Sequence, residues 1–321
     1  MRHRAEARNA AAGEHDMTIR FRHILEPRAV LGEAPVWDPV SRRLHWVDCD
    51  QKKLFRLDAR TQAVDRIDLP HYPGSYAFVR GGGMVMAYRN QLVLLDADLA
   101  PIQAIETGAD FSRERFNDGA CDRRGRFWIG TMDRRLKEPV GHLFRVDPDL
   151  RATCMVSDLI ASNGIAFSPD DKVMYHTDTG AMRIYAYDFD FASGSIANRR
   201  VFADFTGQRG RPDGCAIDSE GHLWVAEIGA GLIVRIDPMG ARVQTAEVAT
   251  PRPTSVAFGG GSLRTLYVTS MQHGLTPEQL AAEPLAGCLF FAEVEVAGLP
   301  EPYFGGQPLS AGHQFEQHGK S

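Results

Sequence analysis

The octapeptide Arg211-Pro212-Asp213-Gly214-Cys215-Ala216-Ile217-Asp218 sets an oxygen-bearing side chain, Asp213, five positions ahead of Asp218 at a turn, with small and apolar residues between. The same spacing recurs outward from it: Glu33 before Asp38, Ser75 before Arg80, Asn117 before Asp122, Asn163 before Ser168 and Thr254 before Gly259. Successive copies start 42, 42, 46, 50 and 41 residues apart (33 to 75, to 117, to 163, to 213, to 254). A period of that length marks a propeller or an array, because one such unit cannot bury its apolar face alone. Six copies predict an all-β, six-bladed β-propeller, each blade a four-stranded sheet whose innermost strand lines a central channel. All inner strands run the same way along that channel, so the residue leading each one reaches the same mouth. The register therefore predicts one ring of Glu33, Ser75, Asn117, Asn163, Asp213 and Thr254.

Blade one reads as a meander: a strand from Glu33 into Trp37, the turn DPVSRR, the strand LHWVD, the turn CDQKK, the strand LFRLD and an outer strand near Val64 to Leu69. The other blades repeat it, with Gly81 to Gly83 as a turn in blade two and a helix-like insertion, LTPEQLAAE, in blade six. Thr18 to Leu25 alternates polar and apolar residues as a half-buried strand does, and is placed to close the ring by joining the last blade. Trp46, Trp128 and Trp224 recur in the second strands as packing residues. Residues 1–16 are expected to be a disordered extension, with Met17 a candidate start, 17–306 the propeller, and 307–321 a flexible tail.

The chain has 321 residues, 44% of them hydrophobic, enough for one large core. A net charge of -5 offers no basic stripe for phosphates, which excludes nucleic acid as the expected partner. The opening MRHRAEARNAAAGEHDM has no apolar h-region, and no run of about 18 apolar residues follows, so neither a secretory signal nor a membrane span is expected. A cytoplasmic protein, monomeric or weakly homo-oligomeric, is the expectation. The five cysteines lack any CxxC pair and mostly sit in apolar runs, which predicts reduced core thiols.

At the ring, Glu33, Asn163 and Asp213 are hard oxygen donors from three blades, with Asn117 as a candidate fourth. Carboxylate and amide oxygens suit one divalent metal ion, Ca²⁺, Mg²⁺ or Mn²⁺, and carboxylates also hold Zn²⁺. So few protein ligands leave positions open for water and a substrate oxygen, as a catalytic site requires. Taken singly, NDG, SNG and PDG are ordinary turn sequences. Their shared register is what argues for a site. Arg115, two before Asn117, is the cation expected at the mouth. The scattered histidines read as structural, and no GxSxG, HExxH or HxxEH is present.

GEAPVWD (32–38), RFNDG (115–119), GRFWIGTMD (125–133), SNGIAFSPD (162–170), RPDG (211–214), LWVA (223–226) and PTSVAFGG (253–260) resemble the SMP-30/gluconolactonase/LRE family, over about Ile24 to Gly306. The resemblance implies a propeller with one divalent metal in its channel that opens sugar lactones, such as glucono-, arabinono-, xylono- or galactonolactone, to aldonic acids. It places metal ligands at Glu33, Asn163 and Asp213, with substrate contacts at Arg115 and Asn117. Asp213 is expected to act also as general base. Some members carry a glutamate on the loop after GTM, where this chain has Asp133-Arg134-Arg135-Leu136-Lys137. Two alternatives remain: a phosphotriesterase or arylesterase on the same metal, favoured by an apolar mouth whereas Ser75, Asn117 and Thr254 favour a polyol, and a non-catalytic calcium-binding regulatory propeller.

Overall fold

The structure is a computed structural model that describes residues 19–306, so the expected extension 1–16 and tail 307–321 lie outside the described residues. Six four-stranded antiparallel sheets are arranged with the strand nearest the channel first in sequence. Blade one is β2 (Gly32–Asp38), β3 (Arg43–Asp48), β4 (Lys53–Asp58) and β5 (Val64–Asp68). Blade two is β6 (Pro73–Phe78), β7 (Met84–Tyr88), β8 (Gln91–Leu95) and β9 (Pro101–Ile105). Blade three is β10 (Glu114–Cys121), β11 (Phe127–Asp133), β12 (Gly141–Val146) and β13 (Ala152–Leu159). Blade four is β14 (Ser162–Phe167), β15 (Val173–Asp178), β16 (Arg183–Asp190) and β17 (Ser195–Asp204). Blade five is β18 (Arg211–Ile217), β19 (Leu223–Ile228), β20 (Leu232–Ile236) and β21 (Arg242–Glu247). Blade six is β22 (Pro253–Gly259), β23 (Thr265–Ser270), β24 (Leu289–Glu293) and, outermost, β1 (Arg22–Ile24).

The N-terminal strand closes the ring as expected, pairing Arg22 with Phe291 and Ile24 with Leu289. It is shorter than the alternating stretch that announced it. The helix-like insertion forms α1 (Pro277–Ala282), opened by a capping box between Thr276 and Gln279. No helix among the described residues is long and apolar enough to cross a membrane.

Apolar burial occurs between blades rather than within them. Six core clusters each draw from two neighbours: Val47 and Leu54 meet Tyr76 and Met86 between blades one and two, and Trp37 and Phe55 meet Ala257 and Tyr267 where blade six meets blade one. This is why the repeat cannot stop short of a closed ring. The acid that ends the inner strand fixes the next turn. Asp122 and Asp218 accept backbone N–H groups of their turns, and their Oδ2 atoms accept Trp128 Nε1 at 3.0 Å and Trp224 Nε1 at 2.9 Å. Of the free cysteines, Cys49, Cys121 and Cys288 are buried, Cys215 is half-buried, and Cys154 is exposed on β13, an exception to the expected core thiols.

The segment after β24 was not foreseen as a structural element. It crosses the end of the ring opposite the predicted mouth. Ser219 N donates to Ala297 O, Gly298 N to Leu263 O, Phe304 N to Phe78 O and Gly305 N to Gly125 O, while the Tyr303 hydroxyl donates to Asp38. Blades five, six, two, three and one are thereby tied together, and Leu299 to Pro302 form the floor of the channel.

Candidate functional site

Each of the six inner strands slips register against its second strand near the residue that the sequence pattern marked, at Glu33/Val36, Pro73/Ser75, Phe116/Gly119, Asn163/Ile165, Pro212/Cys215 and Pro253/Ser255. A bulge there breaks the strict alternation of a strand and re-aims side chains toward the channel. The glycines of NDG, SNG and PDG therefore lie within inner strands, not in turns. Gly164, with φ of 31°, shows why: a Cβ there would sit 2.6 Å from Asp213 O of the next blade.

The mouth opens into a cavity of about 740 Å³, a size suited to a small metabolite. Glu33, Arg115, Asn117, Asn163 and Asp213 all line it, at the mouth where the register places Glu33, Asn117, Asn163 and Asp213. Ser75 and Thr254 do not. Both are fully buried, and their hydroxyls donate across to the neighbouring blade, Ser75 Oγ to Gly119 O at 3.1 Å and Thr254 Oγ1 to Gly32 O at 2.5 Å. The predicted ring of six is corrected to four, and the polyol argument loses two of its three residues. Leu31, Met132, Leu136, Ile228 and Met271 add apolar wall.

Asp118 also lines the cavity, a residue the sequence reading passed over. The bulge at Phe116/Gly119 brings it and Asn117 to the channel together.

A chain of hydrogen bonds runs through three blades along the cavity floor. Arg115 Nη1 donates to Phe116 O at 2.9 Å and Asn117 Oδ1 at 2.8 Å. Asn117 Nδ2 donates to Ser162 O at 2.9 Å and Asn163 Oδ1 at 2.8 Å. Asn163 Nδ2 donates to Thr179 Oγ1 at 2.8 Å, and Thr179 Oγ1 to Pro212 O at 2.7 Å. The Asn163 oxygen keeps a second lone pair for another partner.

The carboxyls are electrostatically crowded. Burial, then the charges of Asp213 and Asp118, hold Glu33 well above the usual carboxylate range, with Arg115 acting the other way. Burial and the Asp118 charge push Asp213 up to about 8, against the opposing pull of Arg211 and Arg115. Burial raises Asp118 to about 6, although the Gly119 and Gly164 N–H groups stabilise its charge. Carboxylates driven together in a low-dielectric cavity are relieved by a cation, and two carboxylates with an amide oxygen are a hard donor set that fits a divalent one. Among the described residues no three His, Cys, Asp or Glu side chains gather into a complete ligand cluster, so a cation here also depends on the Asn163 amide and on solvent or substrate oxygens.

The profile of the SMP-30/gluconolactonase/LRE-like region matches residues 31–272. The chain belongs to this family. It is 40% identical over 294 residues to a 6-deoxy-6-sulfogluconolactonase of Pseudomonas putida, covering 90% of this chain and 100% of that one. To regucalcin of Danio rerio it is 34% identical over 290 residues, covering 89% and 98%. A solved structure described as a calcium-binding protein, regucalcin, from Agrobacterium tumefaciens superposes with a TM-score of 0.84 at 30% identity, covering 88% of this chain and 96% of that one. Of the motifs that carry the resemblance, GEAPVWD, RFNDG, GRFWIGTMD, SNGIAFSPD and RPDG each place a residue on the cavity: Glu33, Arg115, Met132, Asn163 and Asp213.

Proposed function

We propose that this family member is a divalent-metal-dependent lactonase that opens sugar lactones to aldonic acids. The observation that supports it most is the meeting of Glu33, Asn163 and Asp213 with the Arg115–Asn117 pair in one cavity. Glu33, Asn163 and Asp213 would hold the ion, which when bound supplies a Lewis acid that polarises the lactone carbonyl and stabilises negative charge on its oxygen.

Asp213 takes a proton from water as that water attacks the carbonyl carbon. It returns the proton to the ring oxygen as the C–O bond breaks, leaving a carboxylic acid and an alcohol. Arg115 spends Nη1 on Phe116 O and Asn117 Oδ1 and keeps Nε and Nη2 for substrate hydroxyls. The substrate is a small lactone, and the chain acts as a monomer or weak homo-oligomer.

The apolar wall at Leu31, Met132, Ile228 and Met271 supports a second reading, an arylesterase or phosphotriesterase on the same metal. A panel of aldonolactones, an aryl acetate and an aryl phosphotriester separates the two, scored with Ca²⁺, Mg²⁺, Mn²⁺ or Zn²⁺ and after chelation. Acid release from lactones should lead and should vanish on chelation. Turnover that survives metal removal ends the proposal. Asp213→Asn should cost about 10²- to 10⁴-fold in kcat, whereas Arg115→Ala should act mainly on KM.

A further inference from the structure

Five cations line the cavity: Lys52, Arg89, Arg115, Arg134 and Arg211. None has a carboxylate within 4.0 Å among the described residues, whereas Arg123, Arg126, Arg145, Arg235 and Arg242 elsewhere in the fold each have one. Arg115 is already engaged, its Nη1 on Phe116 O and Asn117 Oδ1. Asp50, the remaining acid at the rim, is taken by His273 Nδ1 at 2.6 Å.

Two of these cations, Arg89 and Arg134, come from loops that touch. Arg89 follows β7, and its guanidinium lies 5.1 Å from the centroid of the Tyr72 ring, with Arg115 over the same ring at 5.4 Å. Arg134 comes from the basic loop after β11, and its Nη2 donates at 3.3 Å to Oδ1 of Asn90, the residue next to Arg89. The loop itself is pinned, because Asp133 Oδ2 accepts Lys137 N at 2.8 Å and Glu138 N at 3.0 Å. A guanidinium braced on an aromatic ring loses little freedom when it grips an oxyanion, and its fork matches tetrahedral or planar anions. Arg89 and Arg134 line the cavity with no acid paired to them among the described residues. They are offset by negative charge on what enters.

We propose that Arg89 and Arg134 form an anion subsite at the rim, selecting lactones that carry a second, tetrahedral oxyanion (sulfonate or phosphate) at the end remote from the lactone carbonyl. The inference rests on the lactonase reading and deepens it. Arg115 shares the Tyr72 ring with Arg89 and bonds Asn117, which bonds Asn163, so it links this subsite to the metal-binding residues.

The test compares glucono-1,5-lactone with its 6-phosphate and 6-deoxy-6-sulfo counterparts on the metal-loaded protein and on R89Q, R134Q and the double variant. The wild type should prefer an anionic lactone in kcat/KM, and which counterpart leads tells phosphate from sulfonate. Each substitution should cut the anionic-to-neutral ratio by about tenfold, through KM, and salt should erode it. An anionic-to-neutral ratio near one in the wild type, or equal losses on both substrates in the variants, overturns the proposal. Calorimetry with 6-phosphogluconate and gluconate keeps it separable from the chemistry. If no lactone is hydrolysed at all, the lactonase reading fails, yet tighter binding of the phosphorylated acid that disappears in the double variant still establishes the subsite. Equal binding of the two acids refutes it.

Discussion

Asn163 is oriented by its neighbours. Thr179 gives its hydroxyl hydrogen to Pro212 O, so its oxygen is left to accept Asn163 Nδ2, and the amide oxygen is turned toward Asn117 and the cavity. Thr179→Val keeps the shape and removes both bonds. It should weaken Mn²⁺ or Ca²⁺ affinity about tenfold in calorimetry, as loss of an outer-sphere partner does, and lower stability by about 1–3 kcal/mol in urea unfolding because Pro212 O and Asn163 Nδ2 lose their partners. Undiminished cation affinity would mean that Asn163 is not a ligand held this way. Glu33, Asn163 and Asp213 were legible because a repeat register plus residue chemistry suffices when the side chain faces the channel. Ser75 and Thr254 shared the register and not the role: a short hydroxyl side chain reaches a backbone carbonyl of the next blade, and that bond wins over solvent. Asp118 was hidden for the converse reason. Alternation would send it away from Asn117, and only the bulge brings both to one side.

At the scale of elements, the strands of blade one fall where sequence alternation and turn residues put them, since blade, turn and strand are all local. The acid that closes the turn after an inner strand has a further task that spacing does not announce. Asp218 is fully buried and accepts Trp224 Nε1, Arg235 Nη2 at 2.7 Å and the N–H groups of Glu220 and His222. It locks the second and third strands of blade five onto the end of the first. Asp218→Ala should cost on the order of 3 kcal/mol, because the Trp224 indole N–H, the Arg235 Nε and two turn N–H groups lose their acceptor while Arg235 keeps Glu220. The expected signature is an early urea midpoint with the Trp224 environment lost in the same transition. A variant within about 0.5 kcal/mol of wild type would reduce Asp218 to ordinary turn chemistry. The floor segment was illegible for the opposite reason. The segment from Ala297 to Gly305 has no strand period, and its partners come from five different blades.

The whole molecule joins these scales through one charge that the ring encloses. Glu301 sits in the channel floor on the side away from the substrate mouth. Burial and the charge of Asp118 push its carboxyl up to about 7, against the pull of Arg123. Unfolded, a glutamate titrates near 4.3, so between that value and about 7 the folded state binds more protons than the unfolded one, and stability falls as pH rises. The contribution is fully present below the unfolded value and gone above about 7. His45 has the opposite slope. Burial lowers its folded pKa to about 4, so between the ordinary histidine value and 4 it is the unfolded state that gains a proton, and stability is lost as pH falls. Glu301→Gln removes the first contribution and leaves the second. The variant should match the wild type near pH 4 and exceed it at pH 8 by on the order of 1–3 kcal/mol, read from urea unfolding of the chelated protein at both pH values. An equal difference at the two pH values would show that Glu301 is not buried against Asp118, and the sealed floor would have to be redrawn as open to solvent.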